Sequence, residues 1–419
     1  EALTEWQIAR FEQDFLRLQG GEQGAIAEAS LTTLAPIPRR EDLEPSQAPS
    51  ALAQTVIIKL NGGLGTSMGL EIPKGLLEIR QGQSFLDLTV TQVLGLRERA
   101  NCMVPLLLMN SFHTQGPTLQ AIAGRGLDNG PIPLDFLQSK VPKLRSVDLE
   151  PVEFAPNPSL EWCPPGHGEI YSALRGSGVL QDLLSQGFRY AFVSNIDNLG
   201  ATLDPILLDW FASSQLEFVM EVTRRTEQDR KGGHLAAPFG GGLLLRERAQ
   251  CQSEDLPYFE DIDRHKFFNT NNLWLNLEAL HQQPLPSLPL IVNRKTVDPT
   301  DPQSTPVIQL ESAMGAAIAL YKRSQAIEVS RQRFLPVKTL GDLLILRSDL
   351  YALLSDGTLE ARQSTPLPKI SLDPRFYGTY QDFAQRFQAI PSLRECSSLS
   401  IHNDIHFTQP QQLRGHVTL

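Results

Sequence analysis

Residues 56–74 decide the fold, and they read Val-Ile-Ile-Lys-Leu-Asn-Gly-Gly-Leu-Gly-Thr-Ser-Met-Gly-Leu-Glu-Ile-Pro-Lys. An apolar run, 56–60, leads into a loop that contains four glycines, and Lys74 follows the loop. Because glycine has no Cβ, the backbone N–H groups of such a loop can approach a polyanion closely. The lysine adds a compact positive charge. The stretch therefore predicts a β-strand that ends at a site for a di- or triphosphate.

The loop departs from the two common phosphate-binding signatures. A P-loop ends in Gly-Lys-Ser/Thr, whereas here Lys74 follows Pro73 and precedes Gly75. The dinucleotide fingerprint requires Gly-x-Gly-x-x-Gly, and the spacing that starts at Gly63 is one residue too long. A flexible glycine turn without a ligand is the alternative interpretation of this stretch.

Length, charge and cysteine content restrict the class of protein. A chain of 419 residues predicts two or three domains. The formal net charge of −10 argues against general nucleic-acid binding, and it requires any phosphate site to be locally basic. No apolar run approaches the ~20 residues of a transmembrane helix, and the acidic start of the chain lacks a signal-peptide pattern. The four cysteines are far apart, so we expect reduced thiols in a cytoplasmic protein.

The pattern of apolar runs predicts an α/β domain between two smaller regions. Residues 1–50 are typical of an N-terminal helical segment followed by a proline-rich linker. Over 51–345, short apolar strands alternate with helices, which predicts βαβ units around a mostly parallel sheet. Over 346–419, short alternating stretches predict a small C-terminal domain with β-helix-like strands. Ligands bind beyond the carboxyl ends of parallel strands, and polar clusters follow the predicted strands here, at 61–69, 110–111 and 195–198.

Asp197 is the candidate metal ligand. It follows the apolar run 190–194, within Asn195-Ile196-Asp197-Asn198. A carboxylate at the end of a buried strand is costly without a cation. Mg²⁺ prefers oxygen ligands, and it often binds one or two carboxylates together with substrate phosphates. We therefore assign Asp197 to a Mg²⁺–phosphate site, with an Asx turn or a helix cap as the alternative.

Other polar loops offer candidate ligands for phosphate and base. His167 lies in a loop bounded by prolines and glycines, and it could donate to a phosphate or sugar oxygen or be an ordinary surface histidine. Lys338 is a candidate second cation for a triphosphate, provided that it lies near Lys74. The amide of Gln138 presents a donor and an acceptor, which suits a uracil edge.

The runs 231–233 and 267–274 are rich in amide and backbone groups that suit sugar hydroxyls, with an asparagine-rich turn as the alternative. No Ser/His/Asp or Cys/His nucleophile set stands out in the sequence. The combination favours a displacement that depends on positioning and charge neutralisation, without a covalent enzyme intermediate.

Taken in order, these segments resemble the eukaryotic-type UDP-glucose pyrophosphorylases (UTP–glucose-1-phosphate uridylyltransferases). Two departures from the family pattern are His113, where an asparagine is expected, and Cys163, where an aromatic residue is expected. The resemblance runs through residues 55–345, and its matching stretches are 59–69 with 73–74, 85–90, 110–112, 162–168, 192–202, 231–233, 269–274 and 333–339.

The resemblance implies a GT-A-like, Rossmann-like nucleotidyltransferase core and a C-terminal β-helical domain. It also implies the reaction UTP + glucose 1-phosphate ⇌ UDP-glucose + pyrophosphate, by in-line displacement at the UTP α-phosphate with Mg²⁺ as cofactor. By the same likeness, Lys74, Asp197 and Lys338 are catalytic, and Asp197 holds the metal. The implied nucleotide-binding residues are Leu60, Asn61, Gly62, Gly63, Gly65, Gln138, Gly166 and Asn195. The implied sugar-phosphate-binding residues are His167, Asn195, Glu221, Gly233, Asn271 and Lys338.

Two alternative functions stay open at this point. One is a pyrophosphorylase of broader or different sugar 1-phosphate specificity, for example for galactose 1-phosphate, which Asn271 and 231–233 do not decide. The other is a non-catalytic nucleotide-sugar sensor, against which the presence of Lys74, Asp197 and Lys338 argues. The expected partners are UTP, glucose 1-phosphate, UDP-glucose and pyrophosphate, without nucleic acid or membrane. The state of association is left open.

Overall fold

The computed structural model describes residues 3–22, 24–45, 51–70, 72–285, 287–362 and 367–419. The α-helices in these ranges are α1 (Glu5–Gln19), α2 (Phe85–Ala100), α3 (Gln115–Ile122), α4 (Ile170–Gly176), α5 (Val179–Ser185), α6 (Pro205–Ser213), α7 (Leu256–Phe259), α8 (Leu277–Gln282), α9 (Leu340–Arg347), α10 (Pro374–Tyr377) and α11 (Tyr380–Arg386). The strands are β1 (Leu31–Thr32), β2 (Thr55–Asn61), β3 (Glu78–Arg80), β4 (Gln83–Ser84), β5 (Leu106–Asn110), β6 (Asp135–Leu137), β7 (Val141–Pro142), β8 (Leu144–Arg145), β9 (Trp162–Cys163), β10 (Tyr190–Asn195), β11 (Phe218–Arg224), β12 (His234–Pro238), β13 (Leu244–Arg246), β14 (Phe267–Asn276), β15 (Ile291–Thr296), β16 (Pro306–Glu311), β17 (Ser324–Glu328), β18 (Tyr351–Leu353), β19 (Leu359–Ala361), β20 (Lys369–Leu372), β21 (Ser392–Ile401) and β22 (Gln412–Thr418).

A ten-stranded central sheet organises the chain, with the order β1-β12-β14-β10-β2-β5-β6 and with β11, β13 and β17 off this path. Strands β10, β2, β5 and β6 are parallel neighbours, and β17 is parallel to β11. Strand β14 is antiparallel to β10, β11 and β12, while β1 and β13 are antiparallel to β12. All strands of the sheet except β1, β13 and β14 therefore run in one direction. The predicted α/β fold with a mostly parallel sheet is confirmed.

Strand β2 lies in the middle of the parallel part and is buried along its whole length. Ile57 faces one apolar core, whereas Val56 and Ile58 face the other, so the sheet is covered on both faces. Such double burial is what a continuous apolar run in a parallel sheet requires. The register pairs Leu60 with Asn195 of β10, so the loops after β2 and β10 start side by side at the carboxyl edge of the sheet.

The N-terminal helix α1 is present, and it packs through Phe11, Phe15 and Leu18 against a small apolar cluster that includes Leu290. Part of the predicted proline-rich linker, 46–50, lies outside the described residues. None of the helices in the described ranges combines the length and the apolarity that crossing a membrane requires.

Strands β20, β21 and β22 form a separate three-stranded parallel sheet near the end of the chain. Its buried Leu393, Leu399 and Ile401 belong to the same apolar core as Phe85 and Phe192 of the main α/β region. The C-terminal segment is therefore packed onto the α/β region. The predicted division of the chain at residue 345 stays a prediction.

Candidate functional site

A cavity of about 380 Å³ opens at the carboxyl edge of the central sheet. Larger cavities of about 800 and 570 Å³ are lined in part by the C-terminal segment, and Asp197 lines neither of them. Polar groups dominate the smaller cavity, which suits a sugar phosphate. Its wall includes six of the predicted site residues, His167, Asn195, Asp197, Gly233, Asn271 and Lys338.

Lys74 and Asp197 form an ion pair at this edge, with 2.5 Å between Nζ and Oδ2. Lys74 begins a short turn after the glycine loop, and its backbone N–H donates to the carbonyl of Gly63 at 3.1 Å. Asp197 lies in the turn after β10 and is only 8% exposed. Two charges that are 123 residues apart in the chain thus meet at one point.

The second carboxylate oxygen of Asp197, Oδ1, is buried and has no hydrogen-bond partner within the described part of the chain. A buried carboxylate oxygen without a donor is costly, so it marks a place for a cation or a ligand donor. Across the described ranges, no group of three or more His, Cys, Asp or Glu side chains could hold a metal on its own. Asp197 is thus a single candidate carboxylate, and Mg²⁺ is commonly bound through one or two carboxylates together with substrate phosphates and water.

The glycine loop lies against Gln138, the predicted base-reading residue. A Cβ on Gly62 would stand 2.3 Å from Nε2 of Gln138, so only glycine permits this close approach. The backbone N–H of Gln138 donates to the carbonyl of Asn110 at 2.9 Å, and Ser111 Oγ donates to the carbonyl of Gly62 at 2.8 Å. The ends of β2, β5 and β6 are thereby joined into one surface.

None of the predicted nucleotide-binding residues other than Asn195 lines the wall of this cavity. They are Leu60, Asn61, Gly62, Gly63, Gly65, Gln138 and Gly166. The side chain of Asn61 is 1% exposed, and its Nδ2 donates to Asn110 Oδ1 and Thr118 Oγ1 at 2.8 and 2.9 Å. Its Oδ1 is buried and has no hydrogen-bond partner among the described residues. Asn61 therefore holds the strand ends together, and its contact with a nucleotide stays a prediction.

His167 is oriented by the backbone of a neighbouring segment. The N–H of Met314 donates to His167 Nδ1 at 3.0 Å, so the neutral ring carries its proton on Nε2. Burial lowers the pKa of His167 to about 4, so the ring is neutral at pH 7. Gly166 precedes it with φ of +81°, and a Cβ there would stand 2.6 Å from the carbonyl oxygen of Ser312. His167 can thus donate from Nε2 to a phosphate or sugar oxygen.

Asn271 lies at an irregularity in the sheet. Its φ is +57°, and the pairing of β11 with β14 shifts register between Glu221 and Val222. Asn269 Nδ2 donates to Asn271 Oδ1 at 2.8 Å, and the N–H of Asn271 donates back to Asn269 Oδ1 at 2.9 Å. A bulge re-aims side chains, and asparagine tolerates a positive φ better than most residues. Both amides reach the cavity wall for this reason.

Glu247 is a wall residue that the sequence did not single out. Its carboxylate atoms would lie 2.5–2.6 Å from a Cβ on Gly233, so this glycine makes room for the carboxylate. Burial raises the pKa of Glu247, and the charge of Lys338 opposes that rise. In the sequence, Glu247 lies between Arg246 and Arg248, a run that is typical of a solvated surface. The one available signal in the sequence was the apolar run 243–245, which ends two residues before Glu247.

Glu221 is not on the cavity wall, so its predicted hexose contact is corrected. It is fully buried on β11, and its carboxylate accepts from Arg333 Nε and Nη2 at 2.8 and 2.7 Å. Trp274 Nε1 and Asn272 Nδ2 each donate to it at 3.0 Å. The predicted contact came from the family resemblance, and the direction of the Glu221 side chain on the strand argues against it.

Lys338 lies on the cavity wall, just before α9. Its backbone N–H donates to Asp342 Oδ2 at 2.9 Å, and its Nζ lies 5.6 Å from the ring centroid of Phe268. Lys338 and Asp197 border the same cavity, next to the Lys74–Asp197 pair. Two lysines and an aspartate thus lie together at the edge of an α/β sheet, an arrangement that suits a phosphorylated ligand.

Comparisons with known proteins agree with this class of site. The family model described as UTP–glucose-1-phosphate uridylyltransferase matches residues 9–414. Barley (Hordeum vulgare) and potato (Solanum tuberosum) proteins of that name are 42% and 40% identical over 92% and 90% of this chain, and over 80% and 79% of their own lengths.

Solved structures are similar as well. A structure from Trypanosoma brucei, described as a UDP-glucose phosphorylase, has a TM-score of 0.92 at 44% identity, covering 100% of this chain and 92% of its own. A point mutant of the Leishmania major UDP-glucose pyrophosphorylase, in complex with UDP-glucose, has a TM-score of 0.92 at 41% identity, covering 99% of this chain and 91% of its own. The chain belongs to the UTP–glucose-1-phosphate uridylyltransferase family.

Proposed function

We propose that this chain makes UDP-glucose and pyrophosphate from UTP and glucose 1-phosphate. The names of the relatives support the reaction, and the L. major relative binds UDP-glucose. The observation that carries the proposal is the meeting of Lys74 with Asp197, beside Lys338, above the ends of parallel strands. Cations and a carboxylate at one cavity suit phosphoryl chemistry better than they suit a binding module.

In the proposed reaction, a phosphate oxygen of glucose 1-phosphate attacks the α-phosphorus of UTP. A new P–O bond forms on one side while the bond to the pyrophosphate oxygen breaks on the other, and the electron pair leaves with pyrophosphate. The attacking phosphate is already ionised at pH 7, so no general base is needed. The protein therefore contributes position and charge neutralisation.

The chain's own residues supply these contributions. Lys74 is held by Asp197 at the glycine loop, where its ammonium can also donate to the departing pyrophosphate. Lys338 neutralises charge from the wall segment before α9. His167 can donate from Nε2 to a phosphate or sugar oxygen, because Met314 occupies Nδ1. Since the site is partly buried, these interactions are screened less than they would be in water.

Magnesium is the proposed cofactor. The unpartnered Oδ1 of Asp197 fits one ligand of such an ion. No cluster of three or more His, Cys, Asp or Glu side chains occurs in the described ranges, which fits an ion that is held mainly by the nucleotide. When bound, Mg²⁺ supplies positive charge to the phosphate oxygens. Asp197 would hold it while Lys74 remains on the other carboxylate oxygen, Oδ2.

The hexose would lie against the wall formed by Gly233, Asn271 and Glu247. The Glu247 carboxylate can accept hydrogen bonds from sugar hydroxyls, and the amides of Asn271 and its neighbour Asn269 can both accept and donate. These groups select against a sugar that leaves a buried partner unpaired. We therefore propose glucose 1-phosphate as the preferred sugar, and a panel with galactose 1-phosphate tests this preference.

Three further parts of the proposal concern the whole chain. The core is assigned to the GT-A-like class, and the β20–β22 sheet to a short β-helix. The likeness in sequence supports both assignments. The four cysteines all lie in the described ranges and are free thiols, which supports a cytoplasmic location.

The test is the release of pyrophosphate from UTP and glucose 1-phosphate with Mg²⁺. We expect turnover with UTP and little with ATP, CTP or GTP, because Gln138 can match a uracil edge. Absence of pyrophosphate release from correctly folded protein would contradict the proposed reaction. Equal rates with galactose 1-phosphate would favour the broader pyrophosphorylase instead.

A further inference from the structure

A buried polar cluster joins the two segments that carry Asp197 and Lys338, and the proposed reaction does not use it. Asn198 Oδ1 accepts from the N–H of Leu335 at 2.8 Å, and Asn198 Nδ2 donates to the carbonyl of Arg333 at 3.1 Å. The backbones of 198 and 336 also form an isolated bridge. The segments 195–202 and 331–338 are therefore bound directly to each other.

A glycine makes this contact possible. A Cβ on Gly200 would stand 2.2 Å from the carbonyl oxygen of Gln332, and that oxygen is backbone, which cannot move aside cheaply. The close approach lets Arg333 Nη2 donate to the carbonyl of Thr202 at 2.9 Å. Two backbone segments thus touch where larger residues would separate them.

The guanidinium of Arg333 turns inward to a fully buried partner. It donates from Nε and Nη2 to the two oxygens of Glu221, with side chains 12% and 0% exposed. Asn272 Nδ2 donates to Glu221 Oε2 at 3.0 Å and to the carbonyl of Arg333 at 3.3 Å. Asn198 Nδ2 closes the network by donating to Asn272 Oδ1 at 3.3 Å. We call these four residues, Arg333, Glu221, Asn198 and Asn272, the loop brace.

A buried bidentate ion pair of this kind fixes the positions of its two segments more than it stabilises the folded state. Burying both charges costs about as much as their attraction returns, so such pairs add little to the free energy of unfolding. The planar fork of arginine fixes both distance and angle to a carboxylate, and lysine does not. Since Asp197 is one residue before Asn198, and Lys338 is five residues after Arg333, the loop brace can set the spacing of the two catalytic segments.

We propose that the loop brace is a positioning device that holds Lys338 at its working distance from Asp197. It contacts neither substrate, and it acts through Lys338 on the transition state. Small displacements of a catalytic group cost large factors in rate while they leave ground-state binding nearly intact. This inference rests on the proposed function, and it gives Glu221 a role other than contact with the hexose.

The test is a set of variants of the full chain, assayed for pyrophosphate release under saturating and limiting substrates. Arg333→Lys keeps the charge and loses the fork, so kcat should fall at least about tenfold while KM for both substrates changes less than about threefold. In a Lys338→Ala background the same change should lower kcat by less than about threefold, because the group that the brace positions is already gone.

Two further variants separate positioning from other roles. Arg97→Lys is the matched control: the Arg97 guanidinium donates to the carbonyls of Val104 and Asp128 and to Asn129 Oδ1, far along α2 from the cavity. It should lower Tm and leave kcat unchanged. Glu221→Gln should lower kcat without changing the ratio of rates for glucose 1-phosphate and galactose 1-phosphate.

Several outcomes would overturn the proposal. An equal loss from Arg333→Lys with and without Lys338 would show that the brace does not act through that lysine. A changed sugar preference in Glu221→Gln with kcat intact would restore the hexose contact. If Arg333→Lys does not fold, Asn198→Ser takes its place as the test, because it keeps the buried charge pair. The proposal requires that Asn198→Ser lower kcat when Lys338 is present and leave kcat unchanged in the Lys338→Ala background. Lack of activity in the unaltered chain would instead refute the proposed function itself.

Discussion

Replacing Lys74 with methionine tests the centre of the proposed mechanism, because the change removes the ammonium and keeps most of the side chain's volume. In the structure this ammonium neutralises Asp197 at 2.5 Å and lies at the end of the glycine loop. Removing one preorganised charge-stabilising donor typically lowers kcat by about 10²–10³, or ~2.7–4 kcal/mol of transition-state stabilisation. We expect Lys74→Met to lower kcat by a factor within that range.

The same substitution leaves a nearly buried carboxylate without its cation. We therefore expect Lys74→Met to lower Tm, and we expect Lys74→Met combined with Asp197→Asn to recover Tm without recovering activity. This separation of stability from turnover distinguishes a catalytic pair from a structural one. Lys322→Met is the control, since Lys322 is exposed in the turn before β17, at the opposite edge of the sheet.

The assay is coupled detection of pyrophosphate, with kcat and KM determined for UTP and for glucose 1-phosphate, and with Tm from thermal unfolding. A kcat for Lys74→Met within about threefold of the unaltered chain would refute the role of this lysine. Full activity in the double variant would refute the role of Asp197 as well.

Three further predictions concern the base, the sugar and pH. Gly62→Ala should raise KM for UTP about tenfold, because its Cβ would stand 2.3 Å from Gln138 Nε2 and displace that amide. Glu247→Ala should raise KM for glucose 1-phosphate about 10–100-fold, the equivalent of ~1.5–3 kcal/mol for hydrogen bonds to a charged group. Burial raises the pKa of Glu169 from 4.5 to about 7, with Ser139 Oγ donating to it. The folded state therefore holds a proton on Glu169 that the unfolded state loses, so the contribution of Glu169 to the free energy of unfolding should fall as pH rises from 4.5 to 7. Glu169→Gln should remove this contribution, so its stability relative to the unaltered chain should rise over that range.

Each of these has a result that would contradict it. Unchanged nucleotide selectivity and KM in Gly62→Ala would separate Gln138 from the base. A kcat loss with unchanged KM in Glu247→Ala would argue against contact with the sugar in the ground state. Parallel stability curves for Glu169→Gln and the unaltered chain between pH 4.5 and 7 would show that the carboxyl group titrates normally.

Local sequence patterns predicted much of the fold and part of the site. The run 56–60 and its glycine loop are contiguous, so the sequence alone indicates strand β2 and the loop after it. Asp197 could be predicted as a site residue for a similar reason. It follows an apolar strand closely, and parallel strands bring their carboxyl ends together. The pairing of Lys74 with Asp197 across 123 residues results from that topology.

The remaining features depend on side-chain direction and long-range packing. Glu221 and Asn61 both lie in strands near the site, yet one faces Arg333 and the other faces Asn110 and Thr118. Glu247 lies between two arginines in the sequence, which is typical of a solvated surface. Its place on the cavity wall depends on the distant Gly233, which packs against its carboxylate. The loop brace joins four segments, and no short motif encodes such a network.

A crystal structure of the chain with a non-hydrolysable UTP analogue and Mg²⁺ would test directly whether Lys74, Asp197 and Lys338 surround one nucleotide. We expect uracil at Gln138, the metal on Asp197, and a triphosphate that lies within hydrogen-bond distance of both Lys74 and Lys338. A nucleotide bound at one of the larger cavities, with Lys74 still paired only to Asp197, would contradict this expectation.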